Sequence, residues 1–335
     1  MKLLRKIFFP LVPIFYLISW VRNKLFDLNL LKSKSYSIPI ICVGNLSVGG
    51  TGKTPMIEYL VRLMSKDHNL AILSRGYKRD TSGFILANDN TTVEEIGDEP
   101  YQYKHKFKDV QIAVDENRQN GIETLLGLNN SPDIILLDDG FQHRKVKAGL
   151  YILLTSFNKL FTEDILLPYG DLRESKRGAK RADVVIVTKC PKDLNEGDKF
   201  EIAEKMKLNS NQKLFFSSIS YDDTIYSEKE STSINKLNGS KFSLVTGIAN
   251  SEPLVEYLES IGLIFEHLNY KDHYNFTEKD LDKLNSKKLI LTTEKDFMRL
   301  KGKLDKAKLF YLPIKTEIYN EDDFRDLVNQ FLLKF

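Results

Sequence analysis

Cysteine is almost absent from this 335-residue sequence, with Cys42 and Cys190 the only two. Neither pairs with others at a metal-ligand spacing, which excludes a disulfide scaffold or zinc module and indicates a reducing, cytoplasmic compartment. A full membrane span is missing as well. The apolar start, Ile7 to Val21, is broken only by Ser19 and carries Pro10 and Pro13; it runs about fifteen residues where a span needs about twenty. No internal repeat or low-complexity tract is found, so solenoid and disordered classes fall away. A net charge of only +3 excludes the strong basic field of a nucleic-acid-binding protein.

What charge there is lies unevenly. Met1 to Lys34 carries Lys2, Arg5, Lys6, Arg22, Lys24, Lys32 and Lys34 against Asp27 alone, leaving the remainder slightly acidic. From Ile14 onward, Ile14, Leu17, Ile18, Val21, Leu25 and Leu28 follow helical spacing, with Arg22, Asn23, Lys24 and Asp27 between them. A basic amphipathic helix with Tyr16 and Trp20 suits an anionic membrane surface, to which each Lys or Arg adds about 1 kcal/mol. Two other readings compete: a cleaved signal peptide, opposed by the lack of a small-x-small cleavage site, and a helix packed on the protein's own core.

Beyond this segment, strand-like and helix-like stretches alternate, as in α/β folds. Apolar runs at Ile38–Val43, Leu70–Leu73, Val110–Val114, Asp133–Leu137, Leu150–Leu154 and Asp183–Thr188 have the continuous character of strands buried on both faces of a parallel sheet. Another strand is expected at Lys213–Ser217. A polar stretch, 221–240, reads as a linker between a nucleotide-binding domain over 35–220 and a smaller α/β domain over 241–335, with 1–34 as the membrane-associated helix. The second domain is expected to have strands at Phe242–Val245, Leu289–Leu291 and Leu309–Leu312, and helices at Pro253–Ile261, Glu278–Leu284 and Glu321–Leu333. The aperiodic loop from Lys78 to Pro100 contains a glycine-acidic cluster and is a candidate functional loop.

The strongest chemical signal is the run Ile40-Ile41-Cys42-Val43-Gly44-Asn45 leading into Leu46-Ser47-Val48-Gly49-Gly50-Thr51-Gly52-Lys53-Thr54-Pro55, a buried strand, a glycine-rich turn and a helix start. Ser47, Val48, Gly49, Gly50, Thr51 and Gly52 present backbone N–H groups to phosphates, Lys53 reaches the β and γ phosphates, and Thr54 ligates Mg2+. Ser47 stands where G-x-x-x-x-G-K-[ST] has its first glycine, so the pattern is met in context rather than letter by letter. A second signal, Asp133 to Leu137 followed by Asp138-Asp139-Gly140-Phe141-Gln142-His143-Arg144, places paired acids at a strand end, where they orient Mg2+ and its waters. Alone, such an ending is as often a plain turn.

These two motifs together resemble the tetraacyldisaccharide 4'-kinase family. Ser74-Arg75-Gly76-Tyr77, Gly97-Asp98-Glu99-Pro100, Leu167-Pro168 with Gly170 and Leu172-Arg173-Glu174, Arg181-Ala182-Asp183, Thr246-Gly247-Ile248-Ala249-Asn250, Asp272-His273 and Thr293-Glu294-Lys295-Asp296 extend the resemblance along the chain in family order. It implies a P-loop fold and transfer of the ATP γ-phosphate, with Mg2+, to the 4'-hydroxyl of a lipid A disaccharide precursor at the cytoplasmic face of the bacterial inner membrane. It implies further that the protein is peripheral or monotopic there, with no nucleic acid and no obligate protein partner. Asp98 and His273 map onto the family's carboxylate–histidine pair, which takes the acceptor's proton. Glu174 maps near the metal and Glu99 beside the catalytic acid. Arg75, Arg118, Arg144, Arg173, Gln142 and His143 are candidates for substrate or nucleotide contacts, and Thr188-Lys189 for the base pocket.

A P-loop GTPase or metallochaperone-type switch is the main rival, since the same loop serves both. Guanine recognition would require an acid two residues after Lys189, where this sequence has Pro191. A non-enzymatic membrane protein with a decayed site is opposed by the intact Lys53, Thr54, Asp138 and Asp139.

Overall fold

The computed structural model describes residues 8–272, 274–306 and 308–335. Helix α1 (Val12–Asp27) leads into β1 (Ile40–Asn45), the phosphate loop and α2 (Lys53–Met64). There follow β2 (Leu70–Ser74), β3 (Ile85–Leu86), α3 (Val93–Ile96), α4 (Asp98–Lys106), β4 (Gln111–Val114), α5 (Arg118–Leu126), β5 (Ile134–Asp138), β6 (Leu150–Ser156), β7 (Val184–Thr188), α6 (Glu196–Met206) and β8 (Lys213–Tyr221). The second unit contains β9 (Thr224–Tyr226), β10 (Ser231–Ser233), β11 (Phe242–Thr246), α7 (Glu252–Ser260), β12 (Phe265–Asn269), α8 (Glu278–Asn285), β13 (Ile290–Thr293), α9 (Glu294–Leu300) and β14 (Leu309–Leu312). The chain closes with β15 (Ile314–Ile318) and α10 (Glu321–Leu332).

Nine strands form the first sheet in the order β15-β8-β7-β6-β1-β5-β2-β4-β3. The seven inner strands are parallel; β15 and β3 close the edges antiparallel. Every residue of β1, β2, β5 and β7 is buried, which accounts for their unbroken apolar sequences. Met56, Ile57, Leu60, Val61 and Met64 make one face of α2 and bury it against this sheet. Because β1 and β5 are adjacent, their C-terminal ends bring the phosphate loop and the paired aspartates together.

The second sheet has the order β10-β9-β14-β13-β11-β12. Its existence and α/β character follow the sequence reading, but its limits do not. The stretch 221–240, expected as a linker, supplies β9 and β10. The chain beyond Pro313, expected to stay in the second unit, returns to the first sheet: β15 pairs with β8, and Phe324, Val328 and Phe331 of α10 enter the core beneath α2. The physical reason is the i, i+4, i+7 apolar stripe of α10, which finds its complementary surface on the larger sheet.

Helix α1 reverses the usual arrangement. Of its residues only Phe26 is buried, while Ile14, Leu17, Ile18, Trp20 and Val21 face outward. Packing against the protein's own core is therefore not what its apolar residues do. Among the described residues no helix is long and apolar enough to cross a membrane.

Candidate active site

The phosphate loop spans 46–54, from the end of β1 into the first turn of α2. Gly52 caps the helix at φ 84°, a backbone setting that a side chain would strain. The loop is held from outside: Asn45 Nδ2 donates to Thr51 Oγ1 at 2.7 Å, Thr188 Oγ1 to the Thr51 carbonyl at 2.8 Å, and Lys189 Nζ to the Gly50 carbonyl at 2.7 Å. Thr188-Lys189 thus braces the loop from the end of β7. On the opposite side Val48 N donates to the Asp171 carbonyl and Arg173 N to the Leu46 carbonyl.

Lys53 Nζ lies 3.7 Å from Asp139 Oδ1, and Arg173 Nη1 donates to Asp139 Oδ2 at 2.8 Å. Asp139 holds φ 50°, a left-handed setting that aspartate tolerates better than most residues. Burial raises its pKa, but Lys53 and Arg173 outweigh that, and the carboxyl stays below the ordinary carboxylate range. Asp138 behaves oppositely: burial first, then Glu99 and Asp139, push it up to about 7. Its Oδ2 accepts from Ser74 Oγ at 3.2 Å and Tyr103 OH at 3.4 Å. Its Oδ1 is buried with no hydrogen-bond partner among the described residues. Thr54 Oγ1 donates to Glu99 Oε1 at 3.5 Å. A buried, unpartnered carboxylate oxygen close to a hydroxyl and a second carboxylate is the all-oxygen set that a hard divalent cation requires, so Thr54, Asp138 and Glu99 fit Mg2+.

Two sequence assignments move as a result. Glu99, expected beside the catalytic acid on the substrate side, faces Thr54 at the nucleotide end. Glu174, expected at the metal, is occupied elsewhere: Arg181 donates to both of its oxygens at 2.8 and 2.9 Å, Asn23 Nδ2 adds a bond at 2.9 Å, and Gln142 Nε2 one at 3.1 Å. Its buried charge is spent on joining α1 to the loop after β5.

Asp98 opens α4. The preceding Gly97 has φ 87°, and a Cβ there would meet the Tyr77 carbonyl at 2.8 Å, so glycine is what lets the chain turn into the helix. Arg299 of α9 donates to Asp98 Oδ2 from Nη2 at 2.9 Å and from Nε at 3.3 Å. His273, the expected partner of Asp98, lies outside the described residues.

The loop 140–146 joins this chemistry to α1. Gln142 Nε2 donates to the Asn45 carbonyl at 2.8 Å. Arg22 Nη2 donates to the Gln142 carbonyl at 2.8 Å, Arg144 Nη1 to the Asn23 carbonyl at 2.8 Å, and Arg144 Nη2 pairs with Asp27 at 2.7 Å. A cavity of about 530 Å3 opens here, lined by Arg22, Phe26, Lys32, Arg118, His143 and Arg144 among others. Arg118 is buried, donates to the Asp115 carbonyl, and leaves Nε without a partner among the described residues. Burial, then Arg118 and Arg75, push the His143 pKa down to about 4, so the ring is neutral at pH 7. Arg75 is exposed at the end of β2. Arg22, Asn23 and Arg299 carried no local sequence signature; their roles arise from contacts distant in the chain.

A parallel sheet with this loop, this lysine and paired strand-end aspartates defines a P-loop nucleotide-binding protein. Its sequence matches the family described as Tetraacyldisaccharide-1-P 4'-kinase over residues 4–333, and the chain belongs to that family. A Flavobacterium johnsoniae protein named Tetraacyldisaccharide 4'-kinase is 51% identical over 323 residues, spanning 96% of this chain and 94% of its own. One of the same name from Bacteroides thetaiotaomicron is 43% identical, with 99% and 93% covered. An LpxK from Aquifex aeolicus, solved in complex with ATP, superposes with a TM-score of 0.80 at 31% identity, covering 98% of this chain and 99% of that one.

Proposed function

We propose that the protein binds ATP on the 46–54 loop and transfers its γ-phosphoryl group to the 4'-hydroxyl of a tetraacylated glucosamine disaccharide 1-phosphate, at the cytoplasmic face of the inner membrane. The observation that carries this reading is the convergence on loop 140–146 of two features: the strand-end aspartates, and the polar edge of a helix whose apolar residues face outward. A switch protein needs the first feature only.

Lys53 and the loop N–H groups hold the β and γ phosphates, and the N-terminus of α2 adds its dipole. Thr54, Asp138 and Glu99 would hold Mg2+, which withdraws charge from the phosphate oxygens when bound. Asp98 takes the proton of the 4'-hydroxyl as that oxygen bonds to the γ phosphorus, while the bond to the bridging oxygen breaks and its electrons leave on ADP. His273 supports Asp98 in this reading. Arg173, held by Asp139, which also pairs with Lys53, adds a cation beside the phosphates in this reading. Arg22, Arg118 and Arg144 give the cavity beside α1 a positive lining suited to the acceptor's anionic end, and neutral His143 serves as a hydrogen-bonding group rather than a cation. The outward apolar face of α1, with Trp20 and Tyr16, rests in the lipid interface.

The test is transfer of γ-labelled phosphate to the acceptor presented in anionic vesicles. Label is expected as a monoester on the 4' oxygen and absent with a 4'-deoxy acceptor; label on the deoxy acceptor would overturn the assignment.

A further inference from the structure

Two motifs of the second unit, Thr246-Gly247 and Thr293-Glu294-Lys295-Asp296, bind nothing in the proposed reaction, yet the fold brings them together around one side chain. Asp296 is fully buried. Its Oδ2 accepts from the Gly247 N–H at 2.8 Å and from Thr293 Oγ1 at 2.8 Å, while Oδ1 pairs with Arg299 Nη1 at 3.2 Å. Arg299 Nη1 also donates to the Gly247 carbonyl at 3.4 Å. One edge of the guanidinium is thereby fixed to the second unit. Nε and Nη2, on its other side, both donate to Oδ2 of Asp98.

The same two helices are tied a second time. Lys106, at the far end of α4, pairs with Glu294 at the start of α9 and with Glu58 of α2 at 2.7 Å. Glu58 and Glu294 are both buried, and Gln102 donates to Glu58 at 2.9 Å. Helix α4, which carries Asp98 at its first position, is therefore held at both ends by α9 and at both ends by the phosphate-loop helix, through Thr54–Glu99 and Glu58–Lys106.

We propose that Arg299 is a positioning residue for the transfer reaction: by donating twice to Oδ2 it holds that oxygen of the Asp98 carboxylate in place, and Asp296, Thr293 and Gly247 form the mount that holds the guanidinium. This rests on the reading of Asp98 as the group that accepts the 4'-hydroxyl proton. An arginine serves here where lysine would not, because the rigid guanidinium fork spans both partners, Nη1 resting on Asp296 and the Gly247 carbonyl while Nε and Nη2 meet Asp98, and a single ammonium has no such fixed geometry. Misplacing a base by a fraction of an ångström costs rate without costing ATP affinity.

The experiment compares Arg299→Ala, Arg299→Lys, Asp98→Asn and the double variant Asp98→Asn/Arg299→Ala in the full-length protein, with kcat, KM for ATP and thermal melting measured for each. Arg299→Ala is expected to lower kcat about 10- to 100-fold with KM for ATP nearly unchanged, Arg299→Lys to fall between it and the parent, and the double variant to be no slower than Asp98→Asn. A folded Arg299→Ala protein with parental kcat, alongside an inactive Asp98→Asn, overturns the positioning role and leaves Asp98 standing. Parental activity in Asp98→Asn overturns the base itself. Should Arg299→Ala fail to fold, Arg299→Lys decides: parental kcat in that variant contradicts a requirement for the fork.

Discussion

Arg144 pairs with Asp27 at 2.7 Å and donates to the Asn23 carbonyl, so the loop that follows the two aspartates is bonded directly to the helix that faces outward. The helix whose apolar residues face outward is thus also part of the wall of the cavity beside loop 140–146. Asp27→Ala should raise KM for the lipid acceptor several-fold while vesicle binding stays as it was, since the pair is half-exposed and contributes at most about 1 kcal/mol to stability. Replacing Ile14, Leu17 and Ile18 with serine should do the reverse, weakening vesicle flotation with little change in melting temperature, because these side chains are exposed. Removal of residues 1–31 should cause both losses.

Lys53→Ala should abolish nearly all transfer and leave the melting temperature within a few degrees of the parent. In the proposed reaction the lysine acts on phosphates, and its ion pair is with Asp139 at 3.7 Å, not with the core. Turnover and circular dichroism on the same preparation check both halves.

Glu174→Ala should act on stability rather than on metal dependence. Losing this carboxylate leaves Arg181 without its ion-pair partner, with only the Phe141 carbonyl and ring remaining among the described residues, and costs about 3 kcal/mol, while the Mg2+ concentration that gives half-maximal activity should not move. Chemical denaturation and a Mg2+ titration separate this outcome from the metal role that the family resemblance implies.

Much of this was legible in the sequence. Strands buried on both faces announce themselves, which is why β2, β5 and β14 fall within a residue of their apolar runs. β15 did not, because only Pro313 separates it from β14 and its alternating Ile314-Lys315-Thr316-Glu317-Ile318 lies on the edge of a different sheet. The phosphate loop and paired aspartates were readable because their chemistry is contiguous in sequence. Glu174, Arg22 and Arg299 act through partners 151, 120 and 201 residues away, and no local pattern encodes such contacts.

The junction of α2, α4 and α9 should make stability depend on pH. Burial first, then Glu58, push the Glu294 pKa from 4.5 up to about 7 against the pull of Lys106. The folded state therefore holds the proton more tightly than the unfolded chain. The resulting stabilisation is complete below about pH 4.5 and is lost as pH rises through about 7, amounting to as much as about 3 kcal/mol. The charged and titratable groups around this carboxyl are Lys106, Glu58, Arg62 on Glu58, and Tyr311. Glu294→Gln should flatten this part of the stability profile, read by urea denaturation at pH 5, 6, 7 and 8.

The most direct measurement is the stoichiometry of ADP to phosphorylated lipid, with and without acceptor in the vesicles. A kinase that deprotonates the acceptor at Asp98 predicts one lipid monoester per ADP, and ADP formation near background when acceptor is omitted. Orthophosphate and ADP released at a rate indifferent to the acceptor would contradict it, and would describe a nucleotide-hydrolysing switch instead.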